Sequence, residues 1–280
     1  MRRTTVLFVG LALLAGCAPE KEAPKDVSVV PDRGTQPAVP VPDKSHPDAV
    51  KIVERCIKVS TDGHPERLEK LKANRATMKG SVVRPGAATG IIPTVRRFEA
   101  VWPDRVMIAD EFNEGGPVRL TFGLRRPALW CRTVRDGTSN TLDVQKNEAA
   151  FAADAVGRHW MALLLPLADP ATVVFDAKKQ TVEGRATDVI KVAVKDCPVF
   201  TLWFDEKIGY LGRVDFLHLE YENTAPKAKT FNLMAHRAFG GVLLPTRIDY
   251  RQNGPVFEEW TVDAWEFVDK IDDVVFDRPK

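Results

Sequence analysis

Five histidines (46, 64, 159, 218 and 236) and four cysteines (17, 56, 131 and 197) are the residues of this 280-residue chain best suited to acid–base, metal or thiol chemistry. Their spacing builds no known catalytic motif. There is no His-x-x-x-His pair and no His-Glu-x-x-His zinc motif. There is no Gly-x-Ser-x-Gly elbow and no Gly-x-x-x-x-Gly-Lys loop, so hydrolase and nucleotide chemistry lose their usual marks. His218 and Glu220 share one face of a strand, where they either share a proton or metal or pack as an ordinary pair. Asp154 and His159 are five apart, about 140° out of alignment on an ideal helix, and carry no weight. No Cys-x-x-Cys spacing occurs, which argues against a redox or zinc site. The sequence calls for no catalytic residue, no metal and no cofactor.

Cys17 is different, because what surrounds it is an address. Met1-Arg2-Arg3 is a short basic start, and Val6 to Ala15 is an apolar run of ten residues. Ten residues of helix span about 15 Å, half of a hydrocarbon core, so the run fits a signal peptide and not a transmembrane helix. Leu14-Ala15-Gly16-Cys17 resembles the bacterial lipobox, whose Cys is acylated and becomes the first residue after cleavage. The resemblance implies a signal peptide over residues 1–16 and lipid attachment at Cys17. Ala18 after the Cys implies delivery to the outer membrane.

Residues 17–46 then read as a tether. Between 18 and 47 lie seven Pro and nine charges of mixed sign, with no aromatic residue, Leu or Ile. Such a segment cannot bury enough apolar surface to offset its ordering entropy. Its reach runs from about 30 Å as a coil to about 90 Å as polyproline II.

Residues 47–280 read as one domain, since no second linker or fixed-period repeat appears. Ala49, Ile52, Val53, Cys56 and Ile57 follow helical spacing, with Ser45 and His46 at the cap position and Asp62-Gly63 as the stop. A short second helix covers 65–73. From Met78 the pattern turns to strands: 78–84, 94–102, 105–111, 118–124 and 128–132. A helix over 146–167 interrupts, with a stripe of Ala152, Val156, Trp160, Leu163, Leu164 and Leu167. Strands resume at 172–176, 180–194, 199–204, 210–221, 229–239, 243–251 and 257–267. Hairpin spacing makes the sheet antiparallel. Apolar residues on both faces of 199–204 and 213–221 require either partial cover on both sides or an apolar cavity on one, and a sheet curled around the helices is an economical solution. The expected class is α+β, mainly β: a curved antiparallel sheet forming an incomplete β-barrel wrapped over a few helices.

Three stretches carry a family resemblance: Phe204-Asp205-Glu206-Lys207-Ile208-Gly209-Tyr210, Gly241-Val242-Leu243-Leu244-Pro245-Thr246, and the ending Ile271 to Pro279. With the lipobox, the early helix and the long antiparallel run, they resemble the outer-membrane lipoprotein-sorting proteins of the LolA/LolB-like family. One departure is Asp62-Gly63-His64, where many relatives carry a Gly pair. The resemblance implies a half-barrel with a cavity for an acyl chain or another apolar ligand, and supplies no catalytic residue.

Phe98, Trp102, Trp130, Trp160, Trp203, Phe216 and Trp260, with Trp265, are the aromatic residues a curved sheet can present to such a cavity; ordinary core packing is the alternative. Arg96-Arg97, Arg125-Arg126 and Arg132/Arg135 either rim it and meet anionic head groups or are solvated strand edges. Burial of a palmitate-sized chain is worth about 0.8 kcal/mol per CH₂. Cys56 packs on its helix, and Cys131 and Cys197 either pair or stay separate buried thiols. Composition adds exclusions. Forty Lys+Arg against thirty-eight Asp+Glu, with no single-sign block, offers nucleic acid nothing. Loss of Arg2 and Arg3 with the signal leaves the mature side chains neutral. The expectation is a non-enzymatic, membrane-anchored envelope protein, facing the periplasm, that binds a lipid or lipoprotein acyl chain in lipoprotein or lipid transport. The alternative is a structural or interaction lipoprotein with a filled core.

Overall fold

The computed structural model describes residues 39–83, 90–182, 184–218 and 227–279. The signal, the lipobox with Cys17, most of the tether and Glu220 lie outside the described residues. Among the described residues, no helix is long and apolar enough to cross a membrane.

Helix α1 (Pro47–Ser60) begins where His46 caps it: the His46 Nδ1 accepts from the Asp48 N–H at 3.3 Å, and Pro47 fills the first turn. Asp48 at its start and Lys58 near its end complement the helix dipole. Ala49, Val53 and Cys56 form the buried stripe. The helix ends as Asp62 and Gly63 take φ of 54° and 77°, and the Gly63 N–H returns to the Lys58 carbonyl at 2.7 Å. A 3-10 helix over Pro65–Leu71 follows.

Thirteen strands make one antiparallel sheet: β1 (Ala73–Val83), β2 (Ile91–Val101), β3 (Arg105–Asn113), β4 (Pro117–Arg125), β5 (Ala128–Arg135), β6 (Thr138–Asp143), β7 (Val173–Val182), β8 (Arg185–Ala193), β9 (Phe200–Asp205), β10 (Leu211–His218), β11 (Lys227–Phe239), β12 (Val242–Gln252) and β13 (Val256–Phe267). Their order is 6-5-4-3-2-1-13-12-11-10-9-8-7. Every consecutive pair is a neighbour except β6 and β7, which are the two open edges. β1 and β13 pair at the centre and join the chain's two halves. The sheet curves without closing, which is the incomplete barrel expected from the sequence.

The strand missing from the sequence reading is β6. It pairs with β5 through the turn Asp136-Gly137, whose φ values of 50° and 76° suit a tight hairpin.

The chain travels from edge β6 to edge β7 across the concave face. This insert holds α2 (Glu148–Ala155), a π-helical turn (Val156–Trp160) and α3 (Leu165–Ala168), with Leu164 at φ 61° before α3. It departs from the amphipathic helix expected over 146–167, because every residue from 150 to 167 is buried. A helix enclosed by a curled sheet has no solvent side. Its Phe151, Val156, Trp160 and Leu163 share one core with Cys56 of α1 and the inward Phe98, Phe122, Phe200 and Phe231 of the sheet. A smaller core lies on the outer face, where Ile271 and Phe276 of the C-terminal segment cover Ala73, Val101 and Met107.

The central pair leaves no room for a side chain at Gly80. A Cβ there would strike the Glu259 carbonyl oxygen and lie 2.8 Å from the Trp260 ring. Gly80→Ala is therefore expected to lower stability by about 1–3 kcal/mol through overpacking. Gly212→Ala, with its nearest neighbour at 3.8 Å, serves as a tolerated control in the same denaturant titration.

Candidate functional site

Two features stand out on the concave side: a layer of buried charge between sheet and insert, and an apolar groove at the mouth. The charge layer comes from inward-facing strand positions. Arg96 on β2 grips Asp110 on β3 with two parallel hydrogen bonds, Nε to Oδ1 at 2.7 Å and Nη2 to Oδ2 at 2.9 Å. Its Nη1 donates to Glu258 Oε2 on β13 at 2.9 Å. The same oxygen accepts from Arg158 Nη1 of the insert at 2.6 Å and from Trp260 Nε1 at 2.7 Å. Arg96 lies 4.1 Å above the Trp260 ring, and Arg158 4.9 Å from that of Tyr250. One turn earlier, Lys229 Nζ on β11 donates to Asp154 Oδ1 at 2.7 Å. Charge on the sheet thus meets opposite charge on the insert at two points.

Burial is close to complete: Arg96, Glu258 and Lys229 are each 1% exposed. Burial by itself pushes the Glu258 carboxyl up, but the Arg158 and Arg96 guanidiniums override it and hold the group at about 2. Ion pairing likewise outweighs burial at Arg96 and raises its guanidinium further. Among the described residues, Asp154 Oδ2, Glu258 Oε1 and the Nε and Nη2 of Arg158 have no hydrogen-bond partner.

His159 is a buried histidine rather than the boundary residue that its place beside Trp160 suggests. Its ring stacks on Phe98 at 3.4 Å, with Trp265 at 5.3 Å. Asn74 Nδ2 donates to the Leu71 carbonyl at 2.8 Å, so Asn74 Oδ1 accepts from His159 Nε2–H at 2.7 Å. Burial holds its pKa well below the ordinary histidine value. Its partners are an amide and two rings, none of them a nucleophile. Arg158 and His159 both lie in the π-helical turn and, as neighbours, reach different strands, Glu258 on β13 and Asn74 on β1. Gly157 allows the approach, since a Cβ there would lie 2.8 Å from Phe216.

Of the seven aromatic residues expected to line a cavity, five meet at the insert. Phe98, Phe216 and Trp260 face it from the sheet, Trp160 belongs to it, and Trp102 packs edge-on against Trp160 at 5.0 Å. The other two point outward. Trp130 packs on Gly123 of the outer face and donates to the Phe276 carbonyl at 2.8 Å. Trp203 lies under Arg213 and donates to Asp215 Oδ2 at 2.7 Å. Among the described residues the insert packs into the core between these strands, and the cavity beside Arg158, His159 and Tyr250 measures about 10 Å³.

The arginines disperse too. Arg125 binds Asp277, Arg126 binds Glu148 and Arg135 binds Glu114. Cys56, Cys131 and Cys197 are thiols, without a Cys131–Cys197 bridge. Burial raises Cys56 and Cys197 to about 11, which keeps both protonated. Among the described residues no group of three His, Cys, Asp or Glu side chains is placed to hold a metal.

The mouth groove has a volume of about 480 Å³. Val50, Val53 and Ile57 of α1, Leu68 of the 3-10 helix, Leu167 of α3 and Val174 of β7 form its walls. Glu54, Glu66 and Glu69, with Ser45 and Thr172, supply the polar part of the lining. Both the size and the mix of apolar wall and few polar groups suit a small apolar ligand. None of the seven aromatic candidates lines it.

This combination, an open antiparallel sheet curled over helices, defines a LolA-like fold. A LolA superfamily protein from Nitrosomonas europaea superposes with a TM-score of 0.50 at 10% identity, over 82% of this chain and 97% of its own. A DUF1329 family protein from Desulfovibrio piger gives 0.47 at 9% identity, over 82% and 97%. No family model matches the sequence. No curated protein matches it either.

Proposed function

We propose that this is a lipid-anchored protein of the cell envelope that binds an acyl chain or a similar apolar ligand in the mouth groove, as a carrier or receptor in lipid or lipoprotein transport. The carrying observation is the groove itself, about 480 Å³ in volume, with aliphatic side chains of α1, α3 and β7 in its wall. The insert supplies one wall and keeps ligand out of the interior. Cys17 holds the domain to the membrane through the Pro-rich tether, with the outer membrane and the periplasmic side as the proposed location. The mechanism is burial without bond-making, at about 0.8 kcal/mol per CH₂.

The test is titration of the full chain with a fluorescent C16 fatty acid. Saturable binding is expected, weakened at least tenfold by Ile57→Glu. Loss of tenfold corresponds to about 1.4 kcal/mol. Absence of uptake, or equal uptake by the variant, sinks the reading. Metabolic labelling with palmitate that persists in Cys17→Ala sinks the anchor.

One observation favours a second reading, a structural or interaction lipoprotein. Among the described residues the insert packs against the inward side chains of the sheet, and the void beside the charge layer is about 10 Å³. Failure of the fatty-acid titration would select it.

A further inference from the structure

The outer face carries a second groove that the proposed function does not use. It has a volume of about 670 Å³ and lies between β3–β5 and the C-terminal segment. Trp130, Met107, Val134 and Val274 give it an apolar floor and wall, and Val274 is 66% exposed. Three arginines line it: Arg119, Arg132 and Arg278.

What distinguishes these arginines is how little of their charge is answered. Asp277, the carboxylate among the lining residues, is paired with Arg125 at 2.7 Å rather than with any of the three. Arg119 has Glu111 only at 3.9 Å. Arg278 reaches a neutral acceptor, the Thr141 carbonyl, at 3.4 Å. Arg132 is half-buried and, among the described residues, makes no salt bridge. Guanidinium groups favour planar or tetrahedral oxyanions, which they grip with paired donors.

We propose that this groove is a binding site for an anionic amphiphile, a phosphate or carboxylate head held by Arg119, Arg132 and Arg278 with its apolar chain along Trp130 and Val134. The site is separate from the mouth groove, on the opposite face of the sheet, and does not depend on it.

The experiment uses the full chain and dodecyl phosphate below its micelle concentration, followed by calorimetry. Saturable binding is expected, at least tenfold weaker in the triple variant Arg119→Gln/Arg132→Gln/Arg278→Gln and weaker in high salt. Val134→Glu, which keeps all three arginines, is expected to weaken it as well, and the arginine-dependent binding is expected to persist when Ile57→Glu removes the share taken by the mouth groove. Inorganic phosphate is expected to bind at least tenfold more weakly than dodecyl phosphate; equal affinity would mean an anion site and overturn the amphiphile. Binding of dodecyltrimethylammonium as tight as dodecyl phosphate, or full binding by the triple variant with an unchanged melting temperature, would also overturn the proposal.

Discussion

Glu258→Gln is expected to cost about 3–5 kcal/mol of folding stability, the range for breaking a buried ion pair by removing one partner. Arg158 depends on that carboxylate: its Nη1 pairs with Glu258 Oε2, and among the described residues its Nε and Nη2 have no hydrogen-bond partner. Arg96 would keep Asp110, but lose its link to β13. Glu259→Gln, one residue on and exposed, is the control and should lie within about 0.5 kcal/mol of wild type. Chemical denaturation of both variants measures the difference.

The same carboxylate sets an acid limit. Its folded pKa of about 2 lies below the unfolded value near 4.3, so its stabilisation is complete above the unfolded value. It is lost as pH falls through that window, and amounts to roughly 3 kcal/mol at about 1.36 kcal/mol per unit. His159 acts in the same direction from a higher pH. Its folded pKa is depressed by burial, so the unfolded chain takes up the proton first, and stability begins to fall below about 6.5. Stability should therefore drop in two stages on acidification, and Glu258→Gln should abolish only the lower one.

Lys229→Met is expected to cost a similar amount, about 3–5 kcal/mol, because it leaves Asp154 of the insert charged and buried against the sheet. The informative comparison is the double variant Lys229→Met/Asp154→Leu. If the pair clamps insert to sheet, the double variant should be more stable than the lysine variant alone, since an apolar replacement of both partners is often neutral or better. A coupling energy above about 1 kcal/mol in the double-mutant cycle is expected. Additive effects would mean that the two side chains act separately.

Most strands were legible because one face of each is apolar and the breakers between them are strong. β6 was not, since Thr138-Ser139-Asn140-Thr141 offers no apolar contrast for alternation to reveal. The insert misled for the opposite reason. Its stripe was real, but Ala150, Ala153 and Gly157 on its other sides are small rather than polar, and small residues permit contact all round. The charge layer had a readable signal: Arg96 stands between Thr94 and Phe98, Asp110 between Ile108 and Phe112, and Glu258 between Val256 and Trp260, all at inward parity. Charged residues there, with Asp154, Arg158 and His159 in an Ala- and Leu-rich helix, require partners inside the fold. Trp130 was misplaced because Leu129 and Cys131 beside it are also apolar, and its cover comes from Phe276, far along the chain. The mouth groove is assembled from α1, the 3-10 helix, α3 and β7, and no local pattern announces it.

The central claim is that ligand lies in the mouth groove while the insert occupies the half-barrel. Photo-crosslinking of the full chain with a diazirine-bearing C16 fatty acid, mapped by peptide mass spectrometry, tests it most directly. The expected adducts fall on residues 50–69 and 167–174 and are competed by unlabelled palmitate. Adducts on the strands carrying Phe98, Phe216 or Trp260 would show instead that the insert leaves and the interior takes the chain.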